Sequence, residues 1–180
     1  MVTIWLFTGF IILLALQRIF ELRLSAKNEA IIRSRGGHEH AVWQIQAMKV
    51  LHTSWFIVML LEVHIFHRPF IPIISLLAMI VLIVGQVLRY AAIRSLGWRW
   101  TVTIMTLPGL PPIQSGVYRY LRHPNYLGVA LEILAVPLLH SAYVTALVFS
   151  LANLLLLSVR IHTEGRALLD AVESPLPANR

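Results

Sequence analysis

Within thirteen residues, Gly116-Val-Tyr-Arg-Tyr-Leu-Arg-His-Pro-Asn-Tyr-Leu-Gly128, the chain gathers two arginines, a histidine, three tyrosines and a His-Pro break. Such a set suits an anionic, aromatic small molecule. Proline biases His123 toward extended backbone and itself fits the first turn of a helix. A helix is therefore predicted to begin at Pro124. The N–H groups of Asn125, Tyr126 and Leu127 would be free there, and beside Arg119 and Arg122 they favour an anionic group. Asn125, Gly128 and Glu132 follow at i, i+3 and i+7, on one face of that helix. Asn153, Arg160 and Glu164, spaced by seven and four, form a second polar face. The two faces are expected to turn toward each other and enclose one polar cavity. Plainer readings stand beside these. Basic and aromatic residues anchor helices at membrane interfaces, and an i,i+4 Arg–Glu pair contributes only a few tenths of a kcal/mol.

The elements that must position these residues are greasy. The 180 residues are 58% hydrophobic and 13% charged, with mean hydropathy +0.75. A soluble domain carries about 25% charged residues. The class is an integral membrane protein, and no cysteine is present for disulfides, thiol catalysis or zinc–thiolate sites. The sequence pI near 10.6 reflects Lys and Arg on the cytoplasmic side of a membrane, so no nucleic-acid partner is expected. Met1–Leu16 lacks a basic leader and a small-residue cleavage site. It reads as a retained span and not as a signal peptide.

A helical span needs roughly 20 apolar residues. Val2–Leu16, Val42–Phe66 and Phe70–Leu88 are three candidates. Leu127–Val159 is too long for one span and short for two, so it is predicted to be a tight hairpin turning near His140-Ser141. The expected fold is an all-α integral membrane protein with five transmembrane helices. The last two form the short hairpin, and a cytoplasmic cofactor-binding segment precedes them. The whole, 1–180, is one domain, with three N-terminal spans in 1–88 and the cofactor-binding and catalytic part in 89–180. Segments 18–41, 89–126 and the C-terminus hold thirteen Lys and Arg; the alternate connections hold only Arg68. The positive-inside rule then puts the N-terminus outside and the C-terminus in the cytoplasm.

Two carboxylates fall at membrane depth, where charge is costly and usually faces a cavity or a partner. Glu62 lies near the outer end of its span and is expected to reach water. Glu132 lies about two turns inside its helix, at ~1.5 Å per residue. His38, His40, His52, His64 and His67 are scattered, and no metal site is expected, since one needs three or four converging ligands.

The Gly116–Tyr118 and Arg122–Gly128 runs, the apolar hairpin and Arg160-Ile-His-Thr-Glu164 resemble the isoprenylcysteine carboxyl methyltransferase family, membrane enzymes that use S-adenosylmethionine. Gln17–Leu22, Ala26–Glu29, Leu51-His52, Glu62, Arg99–Thr101 and Leu107–Gly109 are similar to a bacterial branch. Some members of that branch are linked to O-methylation of alkylpyrones and alkylresorcinols. The resemblance implies cofactor contacts from Arg122, His123 and Tyr126 and places Arg160 and Glu164 at the reaction centre; the residue reading adds Tyr118, Pro124, Asn125 and Gly128 to the expected cofactor site and Glu132, as a substitute acid, to the catalytic set. The family commonly has a second acidic residue where this chain has Gly165. The implied activity is O-methylation of the carboxylate or the phenol or enol oxygen of a lipophilic or prenylated acceptor drawn from the membrane, at a bacterial inner membrane. Phospholipid N-methylation on the same scaffold and a non-catalytic assembly or transport role are the alternatives.

Overall fold

Helix α1 spans Val2–Ser34, about twice the expected length. The computed structural model describes residues 2–173. The extension has a simple cause: no proline or glycine interrupts residues 10–35, and Gly36, at φ 83°, ends the run. At ~1.5 Å per residue α1 is about 50 Å long, against roughly 30 Å of hydrocarbon. Much of segment 18–41, expected to be a connection, is therefore helix that continues past the apolar stretch.

Helices α2 (Val42–Ile65), α3 (Pro72–Leu96), α4 (Pro124–Leu138) and α5 (Tyr143–Glu173) follow. By length and composition four helices can cross a membrane: α1, α2, α3 with the turn after it, and α5. The remaining helix, α4, is apolar but only 15 residues long. The hairpin between α4 and α5 turns where expected, at residues 139–142, with Ser141 at φ 56°. The helices are apolar on most sides, as buried or lipid-facing helices are. Large side chains such as Leu13, Ile83 and Leu155 remain exposed on outward faces.

Two short strands depart from the all-α expectation. β1 (His38–His40) pairs antiparallel with β2 (Ile104–Thr106), His38 opposite Thr106. His40 Nε2 lies 2.7 Å from the Thr106 hydroxyl. This ribbon ties the end of α1 to the long connection between α3 and α4.

Helix α4 is the hub, packed against α3 on one side and α5 on the other, while α2 packs on α5. Phe7, Trp55, Met59, Leu82, Ile133 and Val136 belong to the apolar core. A Cβ added at Gly128 would sit 2.7 Å from the Gly85 carbonyl oxygen, so paired glycines set the α3–α4 approach. Glu62, expected to reach water, is instead 4% exposed. Its carboxylate accepts from the Thr145 N–H (2.7 Å), the Thr145 hydroxyl (2.6 Å) and the Val144 N–H (3.2 Å), and it pairs with Arg68 at 2.8 Å. It thus satisfies the free donors at the start of α5, a role that helix ends require when they are buried.

Candidate active site

The His-Pro break does what its residue types dictate. His123 is the non-helical residue before α4, and Pro124 is buried at its first position. One expected donor is already used: the Leu127 N–H donates to the His123 carbonyl at 3.1 Å. This is the ordinary first intrahelical bond from the capping residue. The preceding turn, Gly116–Arg119, is fixed by Gly116 at φ 61°, where a Cβ would collide with the Ser95 hydroxyl.

Helices α4 and α5 meet at Tyr126. Its hydroxyl accepts from Arg160 Nε at 2.9 Å and donates to Glu164 at 2.7 Å. The Arg160 guanidinium lies 5.6 Å from the Tyr126 ring centroid, within cation–π range. His123 stacks on Tyr126, ring centroids 5.5 Å apart and planes 9° apart, and its Nδ1 lies 3.9 Å from Glu164. Arg160 is 3% exposed and also donates to the Val102 carbonyl. The far end of α1 holds that carbonyl in place. Ser25 Oγ accepts from the Val102 N–H at 2.8 Å, and Asn28 donates to the Trp100 carbonyl at 2.7 Å. Glu29 accepts from the Ser25 and Thr103 hydroxyls at 2.7 and 2.6 Å.

Two cavities adjoin this cluster. One, of about 650 Å³, is walled by Tyr118, Arg122, His123, Glu164, Gly165 and the connection from Trp98 to Gln114. The other, of about 430 Å³, is mostly apolar and lies among α1, α2 and α4, with Ile12, Phe56, Leu60 and Val129 in its wall. Trp100, Thr101, Asn125, Tyr126 and Arg160 line both. Three buried polar atoms in that shared wall make no hydrogen bond among the described residues: Trp100 Nε1, Asn125 Oδ1 and Arg160 Nη1. Buried polar groups are normally paired, so two donors and an acceptor in this wall stand unsatisfied. Burial, and then the Glu164 carboxylate, raises the Tyr118 phenol above its ordinary pKa, so it stays protonated.

The expected residues divide into two groups. Tyr118, Arg122, His123, Asn125, Tyr126, Arg160 and Glu164 come together around the larger cavity. Gly128 and Glu132 face the other way. Glu132 pairs with Arg18 of α1 and with Arg89 of α3, the latter at 3.2 Å, while Glu21 pairs with Arg18 (2.7 Å) and Arg89. The two polar faces therefore do not close on one cavity. The i, i+3, i+7 face of α4 turns toward α3 beyond its first turn, because Gly128 fits only against Gly85. Asn153 is 1% exposed, with neither side-chain atom hydrogen-bonded among the described residues, and it lines neither cavity. Sequence reasoning missed the loop anchors Ser25 and Asn28 and the ion partners Arg18 and Arg89. An arginine inside an otherwise apolar run, as at Arg89, was the available signal.

The family model described as "Isoprenylcysteine carboxyl methyltransferase (ICMT) family" matches residues 76–170, from α3 through the Arg160–Glu164 face of α5. Among curated proteins, the uncharacterized YpbQ of Bacillus subtilis (strain 168) is 36% identical over 159 residues, covering 88% of this chain and 94% of the relative. An uncharacterized protein of Haemophilus influenzae is 28% identical over 152 residues, covering 84% and 88%. No solved structure matches significantly.

Proposed function

The chain belongs to the isoprenylcysteine carboxyl methyltransferase family, a family of membrane methyltransferases, and from that premise we propose that it O-methylates a lipophilic acceptor with S-adenosylmethionine. The observation that carries the reading is the shared wall of the two cavities. There Arg160, held by the Tyr126 hydroxyl, stands where the larger, more polar cavity meets the apolar one, with Nη1 buried and unpaired. The donor set fits the cofactor. Arg122, His123 and the first N–H groups of α4 suit its carboxylate. Glu164 suits its ammonium or ribose, and Tyr118 and Trp100 suit its adenine. When bound, S-adenosylmethionine supplies an electrophilic methyl on a sulfonium.

The protein's own contribution is alignment and electrostatics. Tyr126 holds Arg160 and Glu164 in fixed positions, so little reorganisation is needed as the reaction proceeds. Arg160 steadies the negative oxygen of the acceptor, a carboxylate or an ionised phenol or enol, with a donor already in place. The apolar cavity takes the acceptor's tail, which enters sideways from the bilayer between α1 and α2. An alkylpyrone, an alkylresorcinol or a prenylated carboxylate meets that description. Glu132 has no part in this reading, because both its oxygens face arginines.

The test is incubation of the purified chain with methyl-labelled S-adenosylmethionine and membrane lipid extract, followed by mass identification of the labelled product. An O-methylated amphiphile is expected. Label on phosphatidylethanolamine would shift the reading to N-methylation, and failure to bind the cofactor by calorimetry would leave a non-catalytic membrane protein. The same reading places five helices across a bacterial inner membrane, N-terminus outside and the site in the cytoplasm. Ser34→Cys should then be labelled from the cytoplasmic side and His67→Cys from the opposite side; labelling of both from one side rejects that topology.

A further inference from the structure

The apolar cavity contains a histidine that the cofactor site does not use. His52, half-buried on α2, lines its wall. Its Nδ1 lies 2.8 Å from the Met48 carbonyl oxygen one turn earlier. A carbonyl only accepts, so Nδ1 carries the proton and Nε2 presents a lone pair. Among the described residues Nε2 has no hydrogen-bond partner, and it is not among the buried atoms sealed from solvent. The lone pair therefore meets the cavity.

Its position along α2 is also fixed. Gln44 donates to Thr163 at 2.9 Å, and Glu62 accepts from Thr145 at the opposite end of the same two helices. That antiparallel register sets Arg160 level with Ala47 and His52 about 7–8 Å further along, at ~1.5 Å per residue. His52 and Arg160 line the same cavity, so a headgroup seated there lies between α2 and α5 within the reach of both side chains. Arg18 and Glu21 of α1, Arg89 of α3 and Lys49 on α2 itself also line this cavity, and Glu132 of α4 stands behind the arginines. Arg18, Arg89 and Lys49 oppose a positive charge on His52 and Glu21 favours one, so the imidazole rests neutral and holds the proton only in passing.

We propose that His52 Nε2 accepts the hydrogen bond, and then the proton, of a hydroxyl headgroup seated in the apolar cavity. The inference rests on the methyl-transfer reading above and narrows its acceptor to a hydroxyl-bearing amphiphile. The hydroxyl oxygen forms the new bond to the methyl carbon. The carbon–sulfur bond of the methylsulfonium donor breaks, its electron pair staying on sulfur, and the hydroxyl proton passes to Nε2. As the methyl arrives, the oxygen becomes far more acidic, so even a weakly basic imidazole suffices. The imidazolium then returns its proton to water. A carboxylate has no proton to give, and its lone pairs would face the lone pair of Nε2.

The test compares 5-pentadecylresorcinol with hexadecanoate as probes of the full chain in nanodiscs. Wild type should bind the resorcinol in the absence of cofactor, and His52→Ala should bind it about tenfold more weakly with hexadecanoate binding unchanged. His52→Gln should methylate the resorcinol about 10²-fold more slowly or worse, the usual scale of lost general-base catalysis. Added imidazole should rescue His52→Ala in part. S-adenosylmethionine affinity and thermal unfolding should match wild type in both variants. Wild type that binds neither probe, variants that bind and methylate the resorcinol normally, or equal losses on both probes would overturn the assignment of His52. Loss of cofactor binding in wild type would instead sink the methyl-transfer reading itself.

Discussion

Two charged clusters lie on either side of α4, and they are built to opposite ends. Between α4, α3 and α1, Glu132, Arg89, Arg18 and Glu21 pair with one another in turn, with Arg89 and Glu132 almost wholly buried. Between α4 and α5, Tyr126, Arg160 and Glu164 pair too, but Arg160 Nη1 is left over in the shared wall of two cavities. A buried charge must be compensated. The first cluster achieves this internally and binds three helices together: its two arginines and two glutamates cancel, and Arg89 Nε and Glu132 Oε1, though without a hydrogen bond, face each other at 3.2 Å. The second leaves Arg160 Nη1 unpaired, and in the proposed reaction the acceptor oxygen would supply the missing partner. A closed set of charges makes structure; an open one is available for chemistry.

The sharpest way to break this contrast is to remove one member of the closed set. Glu132→Ala or Arg89→Ala leaves an uncompensated buried charge and should destabilise the protein by about 3–5 kcal/mol, read by thermal unfolding in detergent. Arg89→Met combined with Glu132→Leu should recover most of the loss. If either single variant unfolds like wild type, the cluster is not what joins the helices. In the open set, Arg160→Gln should cut methyl transfer about 10²–10³-fold, the scale of one lost preorganised donor, with a much smaller change in unfolding than for Glu132→Ala. Equal losses of stability in the two variants would erase the distinction. Arg122→Ala and His123→Ala should each weaken S-adenosylmethionine binding about tenfold, since hydrogen bonds to charged groups contribute about 1.5–3 kcal/mol when buried and less at exposed Arg122. Calorimetry showing wild-type affinity in both would remove the motif from the cofactor site. The smallest effect concerns Gly165, where an added Cβ meets nothing within 4 Å. Gly165→Ala should stabilise α5 by up to about 1 kcal/mol, the helix-propensity difference. Destabilisation would mean that the backbone there needs glycine.

Much of this was legible in the sequence because it is local. The Pro124 helix start, the turn at His140-Ser141 and the shared face of Arg160 and Glu164 each follow from residue types a few positions apart. What escaped depends on which neighbour a face meets. Periodicity put Asn125, Gly128 and Glu132 on one side of α4 but could not say that Gly85 would draw that side to α3. Nor could it connect Glu132 to Arg18, more than a hundred residues earlier. Glu62 was misread for a similar reason. Its place near a helix end was plain, but its partners lie at the start of α5, brought there only by the packing of α2 on α5. The length of α1 was misjudged because hydropathy marks where a helix leaves oil, not where it stops being a helix.

That unbroken α1 is a lever. Its apolar stretch answers to the bilayer, while its other end carries Ser25 and Asn28, which hold the strand of backbone beneath Arg160. A tilt of about 5° at one end of a rod moves a point ~25 Å away by roughly 2 Å, taking the helical rise of ~1.5 Å per residue. That displacement is comparable to the length of the hydrogen bonds that seat the guanidinium. Bilayer thickness, which sets how far such a helix leans, is thus mechanically in series with the position of Arg160.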